Sequence, residues 1–137
     1  MIGPALGEGV VAYRVVDGFS IPEPLTAAPG DPERGRAVAI NRRQGNCLSC
    51  HVMPIAEQPF HGEVGPSLYG VANRYDAAEL RLRVVDAKVV NPDSFMPAFY
   101  RTEGLHDVSE AFRDKPILDA QQVEDVVAYL MTLTEEQ

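Results

Sequence analysis

Residues 46–51 read Asn46-Cys47-Leu48-Ser49-Cys50-His51, and the reading of this stretch decides the fold. Both cysteines of the chain lie in it, followed at once by one of its three histidines. A disulfide across two intervening residues would constrain the unfolded chain very little, so a reactive or ligating role suits the pair better. A redox dithiol of this spacing needs a βαβ setting, and a zinc site needs a second pair of ligands. Upstream, Asp31 is a good N-cap and Pro32 suits the first helical position. A helix is therefore expected over 32–44, ended by Gly45 or Asn46. Downstream, Pro54, Pro59, Gly62, Gly65, Pro66 and Gly70 break residues 52–75 into a long loop. The motif is thus flanked by helix and loop, which is no βαβ unit. The other histidines, His61 and His106, match no common zinc spacing.

Further out, Asp76 and Glu79 form a capping box for a second helix over 76–90. Leu80, Val84, Val85 and Val89 lie on its apolar face, and Asn91-Pro92 stops it. A third helix is expected over 119–133, with Asp119 and Gln122 as its box and Val123, Val126, Val127 and Leu130 as a core-facing stripe. The loop 93–119 between them has Met96-Pro97 near its start and room for a helical turn around Ser109 to Phe112. Residues 1–30 hold four prolines and the apolar run from Val10 to Val16, then Asp17-Gly18. They read as an extended arm with one short strand. The expectation is an all-α chain: an N-terminal extended arm, 1–30, and a domain, 31–137, of three main helices joined by long loops. A structureless loop as long as 52–75 calls for a function, and wrapping a flat cofactor would supply one.

The bulk numbers agree. The 137 residues fit one domain, able to bury roughly two-thirds of the unfolded surface. Only 7% are aromatic, with no Trp, so a prosthetic group could lend bulk to the core. The net charge of -8, from 20 acids against 12 bases, speaks against nucleic acid and against an anionic membrane surface. It suits solubility and steering toward a basic partner. The longest apolar run, 126–131, is far short of the roughly 20 residues a bilayer needs. Met1-Ile2-Gly3-Pro4 shows no basic n-region, so the chain is expected to be cytoplasmic or already stripped of a signal. No hydrolytic or group-transfer constellation stands out, and Glu135-Glu136 reads as a solvated tail.

Cys47-Leu48-Ser49-Cys50-His51 has the form C-x-x-C-H, the attachment signature of haem c. Two thiols at this spacing can add to the two vinyl groups of one haem, and the next residue, His51, then meets the iron as proximal ligand. Bacteria attach haem c outside the cytoplasm, so the chain is expected to mature there. For the sixth ligand the candidates are Met53, Met96, Met131, His61 and His106. Met53 is too near His51 to reach the other ring face. Met131 lies off the apolar stripe and reads as packing filler, and the loop histidines read as surface residues. Met96 is favoured, because Pro97 stiffens its loop and removes a competing N–H.

With these residues in view, the sequence resembles the class I cytochromes c over residues 31–134. Gly65-Pro66-Ser67-Leu68-Tyr69-Gly70 with Arg74 is similar to the family's G-P-x-L-x-G segment and the Arg after it. The resemblance implies that the Pro66 carbonyl accepts the imidazole N–H of His51 and that Arg74 partners a haem propionate. Asn91-Pro92 through Met96-Pro97 resembles the segment that supplies the Met ligand. Residues 125–133 resemble the last helix, which implies Tyr129 facing Gly35 of the first. The gap from Gly35 to Cys47 is longer than in minimal members. Ala39 stands near the place of an expected aromatic, and no Trp is present to bind a propionate.

More narrowly, 30–37, 45–51 and 91–100 resemble SoxX, the monohaem subunit family of SoxAX cytochromes. That resemblance implies a periplasmic heterodimer with a SoxA-like cytochrome subunit. It also implies oxidative coupling of thiosulfate to a cysteine of a SoxYZ-like carrier protein, with the sulfur chemistry on SoxA and electrons leaving through this chain to a soluble acceptor cytochrome. The alternatives are a free-standing electron shuttle and a haem-based sensor with a labile sixth site. The arm's apolar residues, from Val10 to Ile21, are too apolar for a free tail: they either fold back on this domain or lie against a partner, with a slight preference for the partner.

Overall fold

Asp31 begins the first helix as expected, its carboxylate accepting the N–H groups of Glu33 and Arg34 at 2.8 and 3.2 Å. The computed structural model describes residues 11–100 and 116–137. In it α1 spans Pro32–Ile40, a short α2 spans Val71–Arg74, α3 spans Ala77–Val90 and α4 spans Ala120–Leu130. A single 3₁₀ turn, Cys47–Ser49, carries the first half of the C-x-x-C-H segment. Among the described residues there is no strand, only one isolated bridge between Val16 and Ser20. The expected turn around Ser109 to Phe112 lies outside the described residues, as does His106.

α1 ends four residues sooner than its sequence suggests. Asn41 competes for the backbone: its side-chain oxygen accepts the Arg43 N–H at 2.8 Å, and its carbonyl accepts Asn46 N–H at 3.0 Å. The chain then turns through Asn46, which takes the left-handed conformation (φ 50°) open to Asn at little cost. The result aims Cys47 back at the core rather than along the helix axis.

α3 and α4 both start at the expected capping boxes. Glu79 N–H donates to Asp76 and Gln122 N–H to Asp119, at 2.9 and 2.8 Å, and each box is closed by the reciprocal bond. The stripe of α4 is buried as read: Val123, Val126, Val127 and Leu130 are all core residues. α3, however, is not continuous. Asp86 leaves helical geometry (φ -162°, ψ 91°). The carbonyls of Val84 and Val85 accept instead from Phe99 and Tyr100 N–H, at 3.3 and 3.2 Å. The break therefore docks the chain that follows Met96 onto α3.

α1 packs on α4 with the two backbones in close approach. A Cβ on Gly35 would run into the carbonyl of Asp125 and the N–H of Val126. The crossing thus lies one turn before Tyr129, not at it; Tyr129 is buried further along, beside Arg36. Asp125 also secures the crossing electrostatically. Its carboxylate accepts from Arg34 at 3.1 and 3.3 Å, from the Asp31 N–H at 2.8 Å and from Gln121 at 3.1 Å. Burial by itself would push this carboxyl up, but the three donors together hold it below the ordinary aspartate range.

The described part of the arm, 11–30, lies on its own domain, the fold-back alternative of the two that its apolar residues left open. Ile21 is fully buried, and its N–H donates to Ala78 at 3.0 Å. The physical reason is a buried ion pair. Arg81 of α3 grips Glu124 of α4 with Nε and Nη2, at 2.8 and 3.0 Å. The pair needs further partners to offset its desolvation, and the arm supplies them. The Ile21 carbonyl accepts from Arg81 Nη1 at 2.8 Å, and the Leu25 N–H donates to Glu124 at 3.1 Å. Val11 and Phe19 stay partly exposed, and Val10 lies outside the described residues.

Two outcomes test this packing. Gly35→Ala should cost about 1–3 kcal/mol, read as a lower thermal midpoint of the holoprotein; an unchanged midpoint would mean the helices cross elsewhere. Because the Asp125 pKa is lowered on folding, its stabilisation is present above the unfolded-state value and fades as pH falls through the folded one. Asp125→Asn should be less stable at neutral pH and show a shallower acid loss than wild type in parallel denaturant titrations.

Candidate functional site

Between α3, α4 and the loops 51–68 and 91–99 lies a cavity of about 560 Å³, within the range that holds a sizeable organic ligand. Five of the six residues singled out from the sequence line it: Cys47, His51, Pro66, Arg74 and Met96. Cys50, half-buried, is not among the lining residues but immediately precedes His51. The apolar wall comes from Leu80 and Val84 of α3 and from Val126 and Leu130 of α4. The stripe read for α4 is thus both core and cavity wall.

His51 is held on its far side. Its Nδ1 lies 2.6 Å from the Pro66 carbonyl, so Nδ1 carries the proton and donates it there. That leaves Nε2 as the nitrogen with a free lone pair, the tautomer a metal-ligating imidazole needs. The loop reaches this position through a ladder against the attachment segment. Gly62, Gly65 and Leu68 N–H donate to the carbonyls of Leu48, Cys50 and Val52, at 2.7, 2.7 and 2.9 Å. Gly65 is tied to the role, since a Cβ there would run into the imidazole ring. Arg74, largely exposed, donates to the carbonyls of Tyr69 and Ser67 at 3.0 and 2.9 Å and so braces the same loop.

The Cys47 thiol does not resemble the attacking thiol of a redox pair. Loss of hydration pushes the Cys47 thiol up to about 11, whereas redox-active dithiols have a depressed first pKa. Among the described residues no cluster of three or more His, Cys, Asp or Glu could hold a metal. Met96 is half-buried, its N–H donating to Ser94 Oγ at 3.2 Å. The other candidates sit elsewhere. Met53 is in the core and Met131 is half-buried packing. His61 is not the solvated loop residue its position suggests: Nδ1 accepts from the Met53 N–H and Nε2 donates to the Ile55 carbonyl, both at 3.2 Å.

The sequence alone missed one charged wall residue, Arg83, which lines the same cavity from α3. Its position three residues after Leu80, one turn on along the wall-forming face, was the available signal.

The cytochrome c family model matches residues 32–134. The chain belongs to the cytochrome c family. Its structure is also similar to a chain in the crystal structure of SoxXA from P. pantotrophus. The identity is 39%, over 90% of this chain and 95% of that one, with a TM-score of 0.81. No curated protein matches in sequence. As a cytochrome c with a single C-x-x-C-H segment, the protein takes one covalently bound haem c. The residues fit the group: a mostly apolar cavity, a pre-oriented imidazole at one wall, a thioether in another loop, and the first thiol of the motif at the edge. No helix of the described residues is long and apolar enough to cross a membrane.

Gly65→Ala tests the cradle. The added methyl should displace the His51 ring from the Pro66 carbonyl, seen as an altered Soret and visible spectrum of the holoprotein. A wild-type spectrum would mean that the loop yields and the contact is incidental.

Proposed function

We propose that this cytochrome c is the monohaem electron-transfer subunit of a SoxXA-type complex. One observation carries the reading: the likeness to the SoxXA chain covers 90% of the molecule at 39% identity, more than the span 32–134 that the cytochrome c model matches. In this reading Cys47 and Cys50 anchor the haem by thioethers, and His51 and Met96 are the axial ligands. Residues 31–137 are the haem-binding domain and 1–30 an arm whose described part, 11–30, is fastened to it. The bound haem supplies one-electron redox chemistry. The chain's own residues set its conditions. Pro66 fixes the His51 tautomer, Arg74 braces the loop and offers its remaining N–H groups to a propionate, and the α3 and α4 side chains keep water from the iron. Thioether ligation favours the ferrous state and so a potential above that of a bis-His site.

The partner is then a SoxA-like cytochrome subunit in the periplasm. The process served is the oxidative coupling of thiosulfate to a cysteine of a SoxYZ-like carrier. The sulfur chemistry belongs to the partner, and the electrons pass to a soluble acceptor cytochrome. The folded-back arm favours a second reading, a free-standing shuttle, because Tyr13, Val15, Ile21 and Leu25 already pack on the core of this chain.

Co-expression with the SoxA-like subunit separates the two: a complex that co-elutes in gel filtration supports the subunit, and two separate peaks support the shuttle. Haem should resist acid-acetone extraction. Met96→Ala should lower the potential and admit carbon monoxide to the iron. If Met53→Ala or Met131→Ala does this instead, the ligand has been misassigned.

A further inference from the structure

The charge lining the cavity opposes that of the whole chain. The sequence carries 20 acidic residues against 12 basic ones, yet among the described residues no carboxylate lines the cavity, and the charged side chains that do are Arg74 and Arg83. The other titratable groups there, among the described residues, are Cys47, His51 and Tyr75.

Arg83 is held without being neutralised. Its guanidinium carbon lies 4.0 Å from the centroid of the Tyr75 ring and 4.7 Å from that of Phe19. These stacks fix the group in place and add a modest attraction. Nη1 donates to the Glu79 carbonyl at 3.2 Å. No ion pair joins Arg83 to an acidic side chain among the described residues, whereas Arg34 and Arg81 each hold a carboxylate. A guanidinium has five donors and keeps its charge at any working pH. Beside a mostly apolar cavity such a charge calls for an anion. Tyr75 follows Arg74 directly, so the stack brings Arg83 next to the segment that carries the other cation. Two arginines on neighbouring segments match a ligand with two carboxylates, and haem has two propionates.

We propose that Arg83, clamped between Phe19 and Tyr75, anchors a haem propionate, leaving the second propionate to Arg74. This rests on the haem reading of the cavity. Arg74 spends Nη1 and Nη2 on backbone carbonyls, while Arg83 has one donor so engaged and keeps a fork suited to a carboxylate. Phe19 comes from the arm, so the arm's packing reaches the cofactor through this one side chain.

The charge has a readable effect. A guanidinium beside a propionate keeps it ionised, and a cation near the iron favours the ferrous state. Arg83→Met in the holoprotein should therefore lower the reduction potential at neutral pH. The potential should then climb as pH falls and the released propionate protonates, giving a steeper profile than wild type. Arg83→Lys, which keeps the charge and loses the fork, should stay closer to wild type in both. Circular dichroism and haem content confirm that each variant is folded and loaded; if Arg83→Met does not load, Arg83→Gln carries the same measurement. A loaded, charge-free variant with wild-type potential and pH profile overturns the proposal, whatever its thermal midpoint. A wild-type protein without covalent haem overturns the cofactor reading and this proposal with it.

Discussion

At residue 35 there is no room for a side chain, and the geometry of the molecule follows from that. The backbone of α1 touches the backbone of α4 at Asp125 and Val126, a separation that only glycine permits. With the helices that close, the Asp125 carboxylate reaches the N-terminus of α1 and Arg34 at once. The attachment segment hangs from the C-terminal end of α1, and the apolar floor of the cavity comes from α4. The crossing therefore sets where the thiols and imidazole stand relative to the wall they face. Helix packing at ordinary interaxial distances would open this geometry.

The second determinant is a break rather than a contact. The departure of Asp86 from helical geometry frees two carbonyls of α3, and the chain beyond Met96 fills them. A loop with little regular structure is thereby registered on a helix that also lines the cavity. Its partner is the loop carrying Pro66, registered in turn on the attachment segment by three backbone bonds. The residues proposed as axial ligands thus sit on loops, but each loop is bound to a rigid element at defined positions. Positional precision of that kind is what an iron ligand requires.

Polar groups in the interior are arranged as pairs with backbone support. Arg81 and Glu124 occupy each other almost out of solvent, and the arm meets their remaining demands. This explains why an apolar, proline-rich segment outside the cytochrome core stays on the domain. The Ile21 side chain contributes burial, and the Ile21 carbonyl contributes the acceptor without which the buried arginine would be under-satisfied.

What the sequence by itself determined is what local chemistry dictates. The C-x-x-C-H spacing named the cofactor. The capping pairs Asp76/Glu79 and Asp119/Gln122 located two helix starts, because those bonds run between residues three apart. The period of Val123, Val126, Val127 and Leu130 identified the buried face of α4. What only the tertiary structure decided depends on groups distant in the chain. Arg81 and Glu124 are 43 residues apart, and the arm's placement follows from their pairing. α1 stops at Asn41 through a side-chain bond that a pattern of good helix formers does not reveal, and α3 breaks at Asp86 because residues 99 and 100 can take over its carbonyls. The helix contact at Asp125 rather than at Tyr129, and the arginine on α3 that shares the cavity, likewise depend on how the helices are rotated against each other. Periodicity specifies which face of a helix is apolar; only packing specifies what that face meets.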